Sequence, residues 1–278
     1  MNIGIFDSGI GGLTLAQAYL SDPSTTIFYV ADTANMPYGS KNPEHIQQIS
    51  TTITNFLLQN NVDIIVVGCH TASILAGEAL KKKYPHIPFI TMQDTIIPQA
   101  LAVTKNDSVG IIATPATIQS NVYRKTLLYY NDKMRVIEQA CPTLAPSIEQ
   151  YFDKPDILQH IIDIYLHRII ATRIDTLILG CTHYALIKNI IQSYAPEITL
   201  ISADEALPEQ IAPEQYSPSS YIQRKHKFFV SGDKNAFEKK LAFFLHLWNI
   251  KNIDYTVEQT PWKTIIPNSS AKTYSHQP

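Results

Sequence analysis

Two stretches of the chain carry the same design. Val62 to Ser73 runs Val-Asp-Ile-Ile-Val-Val-Gly-Cys-His-Thr-Ala-Ser, and Ile174 to Ala185 runs Ile-Asp-Thr-Leu-Ile-Leu-Gly-Cys-Thr-His-Tyr-Ala. Each is a β-branched apolar run, the pattern of a strand buried on both faces, ending in Gly-Cys and passing directly into a helical pattern. Cys69 and Cys181 stand 112 residues apart at the two equivalent tips. Two thiols presented alike by two similar halves suggest one site approached from both sides.

Around these anchors the pattern alternates strand and helix. Strands are expected at 2–6, 26–31, 62–68 and 88–92, with helices at 12–20, 42–59, 71–83 and 95–104. Asn42-Pro43-Glu44 provides a cap, a first-turn proline and a dipole-favouring acid. The pattern then restarts, Asp107 to Thr114 echoing Met1 to Ser8. Thr114 and Pro115 should open a helix running to about Tyr130. A strand at 134–138, two helical stretches over 143–171, a strand at 174–180, a helix at 183–193 and a strand at 197–202 complete the second half. The fold class read from this alternation is α/β, two duplicated, pseudo-symmetric parallel-sheet domains. Residues 205–225, rich in Pro, Ser, Gln and Glu, read as a connector. A strand at 227–230, a helix at 233–247 and a strand at 252–256 are too few for a third core and should pack back on the first lobe. The lobes are therefore 1–98 with 208–260, and 99–207, with 261–278 an extended tail.

Composition narrows the function classes. The 278 residues are 45% hydrophobic and 17% charged, with a net charge of −2. Lys81-Lys82-Lys83 reads as a solvated helix end that complements the dipole, and no nucleic-acid partner is expected. No apolar stretch approaches the roughly 20 residues of a membrane span. Three cysteines without a secretory signal indicate reduced thiols in a cytosol.

In an open parallel sheet, ligands bind beyond the carboxyl ends of the strands. That rule gathers Asp7 and Ser8, Cys69, His70 and Thr71, Thr114, and Cys181, Thr182 and His183. A lone cysteine after a buried strand is usually a small core residue. Two in equivalent places, each beside a histidine and a helix N-terminus, favour chemistry, because both neighbours lower a thiol pKa. Cys141, in Ala-Cys-Pro, has no counterpart and reads as structural. The glycines after Asp7 lack the third spaced glycine of a dinucleotide fingerprint and the Gly-Lys-Ser/Thr of a phosphate loop. Asp7 could hold an ammonium group, orient an acid–base partner or cap the next helix. Cys-x-His is not a usual zinc spacing, and no metal site is expected.

Asp7-Ser-Gly-Ile-Gly-Gly-Leu-Thr, Pro37-Tyr-Gly-Ser, Gly68-Cys-His-Thr-Ala-Ser, Gly110-Ile-Ile-Ala-Thr-Pro-Ala-Thr, Ala140-Cys-Pro and Leu179-Gly-Cys-Thr-His-Tyr-Ala-Leu resemble, in order and spacing, the glutamate racemases of the aspartate/glutamate racemase superfamily. The resemblance covers most of residues 1–205. It implies α/β lobes that face each other with the active site in the cleft between them, an acidic amino acid as small-molecule substrate, no pyridoxal cofactor, and a supply of D-glutamate for peptidoglycan in a bacterial cytosol. It leaves a homodimer open. By position it makes Cys69 and Cys181 the catalytic bases, acting on D- and L-glutamate respectively. Asp7 and His183 would assist them, with Glu149 behind His183. Substrate-binding candidates are Asp7, Ser8, Tyr38, Gly39, His70, Thr71, Thr114, Thr117, Thr182 and His183. Where the family usually reads Cys-Asn-Thr this chain reads Cys69-His70-Thr71, trading an amide for a larger ring. Three other readings stay open: a racemase of aspartate or another acidic amino acid, a catalytically weak binding or regulatory relative, and a Cys-His acyl-transfer hydrolase that would need only one cysteine.

Overall fold

The computed structural model describes residues 1–211 and 225–265. Ten strands occur among them. In chain order they are β1 (Asn2–Asp7), β2 (Thr26–Ala31), β3 (Ile64–Val67), β4 (Phe89–Thr91), β5 (Ser108–Ala113), β6 (Arg135–Ala140), β7 (Thr176–Gly180), β8 (Thr199–Ile201), β9 (His226–Val230) and β10 (Tyr255–Gln259). They form two sheets, ordered β10-β9-β2-β1-β3-β4 and β6-β5-β7-β8, and every pairing is parallel. The run β2-β1-β3-β4 has the same order as β6-β5-β7-β8, so the duplication is a duplication of topology. Cys69 follows β3 and Cys181 follows β7, the equivalent strand in each sheet.

Strand burial explains the sequence pattern. β2, β3, β5 and β7 are buried at every position, as strands covered by helices on both faces must be. The helix Met92–Val103 joins the halves. Its Met92, Ile96, Ile97 and Ala100 belong to one continuous core with Ile3 and Ile5 of β1 and Val109 and Ile111 of β5. Full burial of one such aliphatic side chain is worth about 1.5–3 kcal/mol, so this seam resists separation of the lobes along its length.

Local chemistry sets the helix ends. Asn42 accepts the His45 N–H at 2.8 Å and caps Pro43–Gln59. The helix expected from Pro115 to Tyr130 is broken into Pro115–Gln119 and Val122–Tyr130. Asn121, at φ 57°, occupies the left-handed region between them, which asparagine tolerates. The stretch expected as one helix at 183–193 is likewise Thr182–Ala185 followed by Lys188–Tyr194. Part of the expected connector is ordered: Ala203–Gln210 is a helix with Ala203, Ala206 and Leu207 buried. The rest of it, 212–224, lies outside the described residues.

At the C-terminal end, β9 pairs with β2 and β10 with β9, extending the first sheet. The helix Lys234–Leu247 between them buries Phe237, Leu241, Phe244 and Leu245. Residues 261–265 also pack on this lobe. The Trp262 ring meets Phe56 edge-on at 5.2 Å, and the Ile265 N–H donates to Asn35 Oδ1 at 3.2 Å. The remainder of the expected tail, 266–278, lies outside the described residues.

Candidate active site

The carboxyl ends of the two sheets bracket a narrow cavity of about 20 Å3, room for about one water molecule. Ser8, Tyr38, Gly39, Cys69, His70, Thr71, Thr114, Cys181 and His183 line it, together with Met36, Pro37 and Ala145. Asp7, Thr117, Glu149 and Thr182 stand outside this lining: Thr117 bonds Thr114 and Glu149 bonds His183 on the wall, while Asp7 and Thr182 bond each other.

Each thiol sits at the residue before a helix. Cys69 precedes His70–Lys83, and Cys181 precedes Thr182–Ala185. Both side chains are buried and unoxidised. Their surroundings differ. His183 Nδ1 lies 3.8 Å from Cys181 Sγ, and His183 Nε2 lies 3.0 Å from Glu149 Oε1. A carboxylate can only accept, so Nε2 carries a proton and Nδ1 faces the thiol. Burial alone would lower the His183 pKa. Its hydrogen bonds to Cys181 and Glu149 and their negative charges carry it well above the ordinary histidine value instead. Burial would likewise raise the Glu149 carboxyl, but the bond and charge of His183, with the charge of Lys240, bring it down to about 2. The His183–Glu149 pair is therefore imidazolium and carboxylate.

Among the described residues Cys69 has no such partner. Burial pushes its thiol up, and the Asp7 charge adds to this. The backbone N–H groups of Ala72 and Thr71, at the helix start, work in the opposite direction and lose. The expectation that a helix N-terminus and a histidine would depress this thiol is thus corrected. His70 supplies no cation: burial takes its pKa down to about 3. Its Nδ1 lies 2.6 Å from the Tyr123 hydroxyl. The ring is neutral, so either group can donate, and with the phenol donating to Nδ1 the ring keeps its hydrogen on Nε2. Cys141 is buried with its thiol pushed up to about 12, chiefly by burial, and it does not line the cavity.

Both oxygens of Asp7 are engaged. Oδ1 accepts the Gly9 N–H at 2.8 Å, and Oδ2 accepts the Thr182 hydroxyl at 2.7 Å, tying the first lobe to the second. The Ile10 N–H makes a second tie, to Glu149 Oε1 at 2.7 Å. The glycines here serve close approach between the lobes. A Cβ on Gly9 would fall 1.9 Å from Glu149 Oε1, and one on Gly11 would fall 2.6 Å from His183 Nδ1. On the opposite wall the hydroxyls of Thr71, Thr114 and Thr117 form a cluster, with Thr71 and Thr114 3.0 Å apart and Thr114 and Thr117 3.0 Å apart. Tyr38 presents its ring to the cavity but commits its hydroxyl to Asp32 Oδ2 at 2.6 Å.

Two residues of this constellation escape sequence reasoning. Tyr123 fixes His70 from a helix 53 positions further on. Lys240 donates to Glu149 Oε2 from the C-terminal helix, across 91 positions. Neither lies at a strand tip or in a motif, and only the alternation that buries one face of each helix hints at their orientation.

The sequence pattern of the Asp/Glu/Hydantoin racemase family matches residues 13–210. A glutamate racemase from Sulfurihydrogenibium sp. is 37% identical over 241 residues, covering 86% of this chain and 92% of that protein. One from Syntrophus aciditrophicus is 36% identical, covering 85% and 90%. Among solved structures, a glutamate racemase isoform from Bacillus anthracis superposes with a TM-score of 0.81 at 32% identity, covering 94% of this chain and 98% of that one. A Francisella tularensis glutamate racemase in complex with D-glutamate gives 0.82 at 29% identity, covering 93% and 97%. The chain belongs to the Asp/Glu/Hydantoin racemase family.

Proposed function

We propose that this protein interconverts L- and D-glutamate without a pyridoxal cofactor, using Cys69 and Cys181 as proton-transfer groups on opposite faces of the substrate Cα. The observation that carries this reading is the placement of two buried thiols, from equivalent strand tips of two sheets, on one cavity. The relatives named above as glutamate racemases, and the Francisella tularensis protein that holds D-glutamate, support the choice of substrate.

Inversion requires a proton to leave Cα on one face and another to arrive on the other. Two fixed groups meet this geometry without rotation of the substrate. In the direction from L-glutamate the two thiols take opposite roles. Cys181, beside the His183 imidazolium, is the base, and the high-pKa Cys69 thiol is the acid. The Cα proton passes first to Cys181 Sγ, leaving a carbanion whose charge spreads into the α-carboxylate, and the Cys69 S–H proton is then delivered to Cα from the other side. The product is D-glutamate, with the thiolate now at Cys69. That thiolate is strongly basic because its surroundings disfavour it, which suits removal of a proton from a weak carbon acid in the reverse reaction.

Each positioned proton-transfer group contributes about 10²–10⁴-fold. The remaining barrier reduction falls to donors on the α-carboxylate in a water-poor cleft. Ser8, Thr71, Thr114 and the Nε2–H of His70 are the candidates on the cavity wall. The cavity holds little more than a water, so an amino acid enters only when the cavity walls move apart. The product would supply D-glutamate for peptidoglycan synthesis.

The test is an assay of purified protein with each enantiomer and no added cofactor. Racemisation should occur, with solvent deuterium appearing at Cα in D2O, and Cys69→Ala and Cys181→Ala should each abolish it. Full activity in either single variant would sink the two-base reading.

A further inference from the structure

We infer that Lys240, from the C-terminal helix, is a positioning residue for the Cys181 face of the site, acting through Glu149 and His183. The inference rests on the two-base reading above. Lys240 Nζ donates to Glu149 Oε2. The other oxygen, Oε1, is held by His183 Nε2–H and by the Ile10 N–H. Three donors from three separate segments therefore fix one buried carboxylate.

The packing that delivers the lysine is specific. Asp233 caps the helix Lys234–Leu247 by accepting the Ala236 N–H at 3.0 Å. Phe243 and Phe244 of this helix meet the ring of Phe152 at 5.0 and 6.0 Å. Phe152 ends the helix Leu144–Tyr151 that carries Glu149. The C-terminal helix is thus clamped onto the helix bearing the carboxylate, and Lys240 reaches it with its side chain only 19% exposed.

Charge gives the contact a chemical consequence. In the working state the order outward from the cavity is Cys181 thiolate, His183 imidazolium, Glu149 carboxylate and Lys240 ammonium. The signs alternate and sum to zero. Without the lysine, one anion in this buried set is uncompensated, which is costly in a low-dielectric site. The set then recovers neutrality by holding one more proton, on Glu149 or on the thiol. Either change reduces the thiolate at Cys181. Among the described residues no cation backs Cys69, and the Asp7 charge disfavours its thiolate.

The two enantiomers have equal free energy, so kcat/KM must be equal in the two directions for any variant. An effect confined to one face is therefore read in primary isotope effects with glutamate deuterated at Cα. Lys240→Met should lower kcat/KM about tenfold in both directions, as loss of one charge-assisted hydrogen bond to the carboxylate would do. The isotope effect should rise with the deuterated L enantiomer, whose proton Cys181 removes, and fall with the D enantiomer. Lys240→Arg keeps the cation and should restore wild-type isotope effects. Unchanged isotope effects for both enantiomers in Lys240→Met, whatever the rate, would overturn the inference. If Lys240→Met does not fold, Lys240→Gln is judged by the same readout, and failure of both neutral variants to fold would make the lysine purely structural and overturn it too. Absence of racemisation, or of solvent hydrogen at Cα, in the wild-type protein is a separate result that counts against the two-base reading itself.

Discussion

The two thiols occupy equivalent places and sit in opposite electrostatic surroundings. Each lies between a buried strand and a helix start, and each is 7% exposed. Cys181 has an imidazolium at 3.8 Å, backed by a carboxylate and a lysine. Cys69 has a carboxylate nearby and a neutral histidine beside it, turned toward a tyrosine. Duplication of the backbone places two thiols symmetrically, and the side chains behind them then make the pair unequal. In the proposed reaction this inequality is useful, because one thiol must give a proton as the other takes one.

The harshest way to break the comparison is to remove a thiol. Cys69→Ser and Cys181→Ser should each reduce racemisation by on the order of 10³-fold or more, since proton transfer on one face is lost. A coupled assay for each enantiomer reads this directly, and a variant retaining a tenth of the activity would contradict it. His183→Ala should cost about 10²-fold, at the lower end of the range for a proton-handling group. Its isotope effect should rise for L-glutamate alone, whereas a symmetric site would show a rise for both.

The contact between lobes can be broken without touching a titratable group. Gly9→Ala places a methyl 1.9 Å from Glu149 Oε1. The neighbour is a carboxylate pinned by three donors, so it cannot simply swing away. About tenfold or greater loss of activity is expected, as the carboxylate is forced off His183. The check is the histidine NMR spectrum, in which the His183 ring should titrate at lower pH than in the wild type.

Acid stability separates the faces thermodynamically. The Glu149 carboxyl falls from 4.5 to about 2 on folding, worth about 3 kcal/mol. A depressed carboxyl contributes stability that is complete above its unfolded value and is lost as pH falls through its folded value. Glu149 should therefore stabilise the protein above about pH 4.5 and cease to do so as pH falls toward 2. His183 is raised, so its contribution has the other sign: present below about pH 6.5 and lost as pH rises through its folded value. Urea midpoints across this range should flatten at the acid end in Glu149→Gln. An unaltered acid limb would show that the pair is not ionised as described.

How much of this was legible in the sequence follows from how far apart the partners are. The strand tips at Cys69 and Cys181 were legible because β-branched runs ending in Gly-Cys are local patterns. His183 was legible because it lies two positions from its thiol. The breaks at Asn121 and at Leu186–Ile187 were not, because the apolar periodicity runs on through them and only the backbone conformation interrupts it. At Cys69 the sequence points to a depressed thiol and the fold raises it, for a physical reason. A helix N-terminus is visible in sequence, but the burial and the Asp7 charge that outweigh it are products of the tertiary fold. Lys240 and Tyr123 contact the site across 91 and 53 positions, on helices whose amphipathic pattern says which face is inward but not what that face meets.

The smallest expected effect lies at His70, where the Cys69 face differs most from the Cys181 face. Tyr123→Phe removes the hydroxyl that bonds Nδ1 and fixes the ring. The net worth of such a bond is about 1 kcal/mol, so a loss of about fivefold is expected. It should fall mainly on KM, because the ring then presents Nε2–H to a ligand only part of the time. Unlike His183, His70 is held neutral, with a pKa of about 3. Its ring resonances should therefore stay unchanged from about pH 5 to 8, the range in which an ordinary histidine titrates. A titration of His70 within that range would mean that both thiols have a cationic neighbour, and the asymmetry between the faces would have to be sought in Asp7 and Glu149 alone.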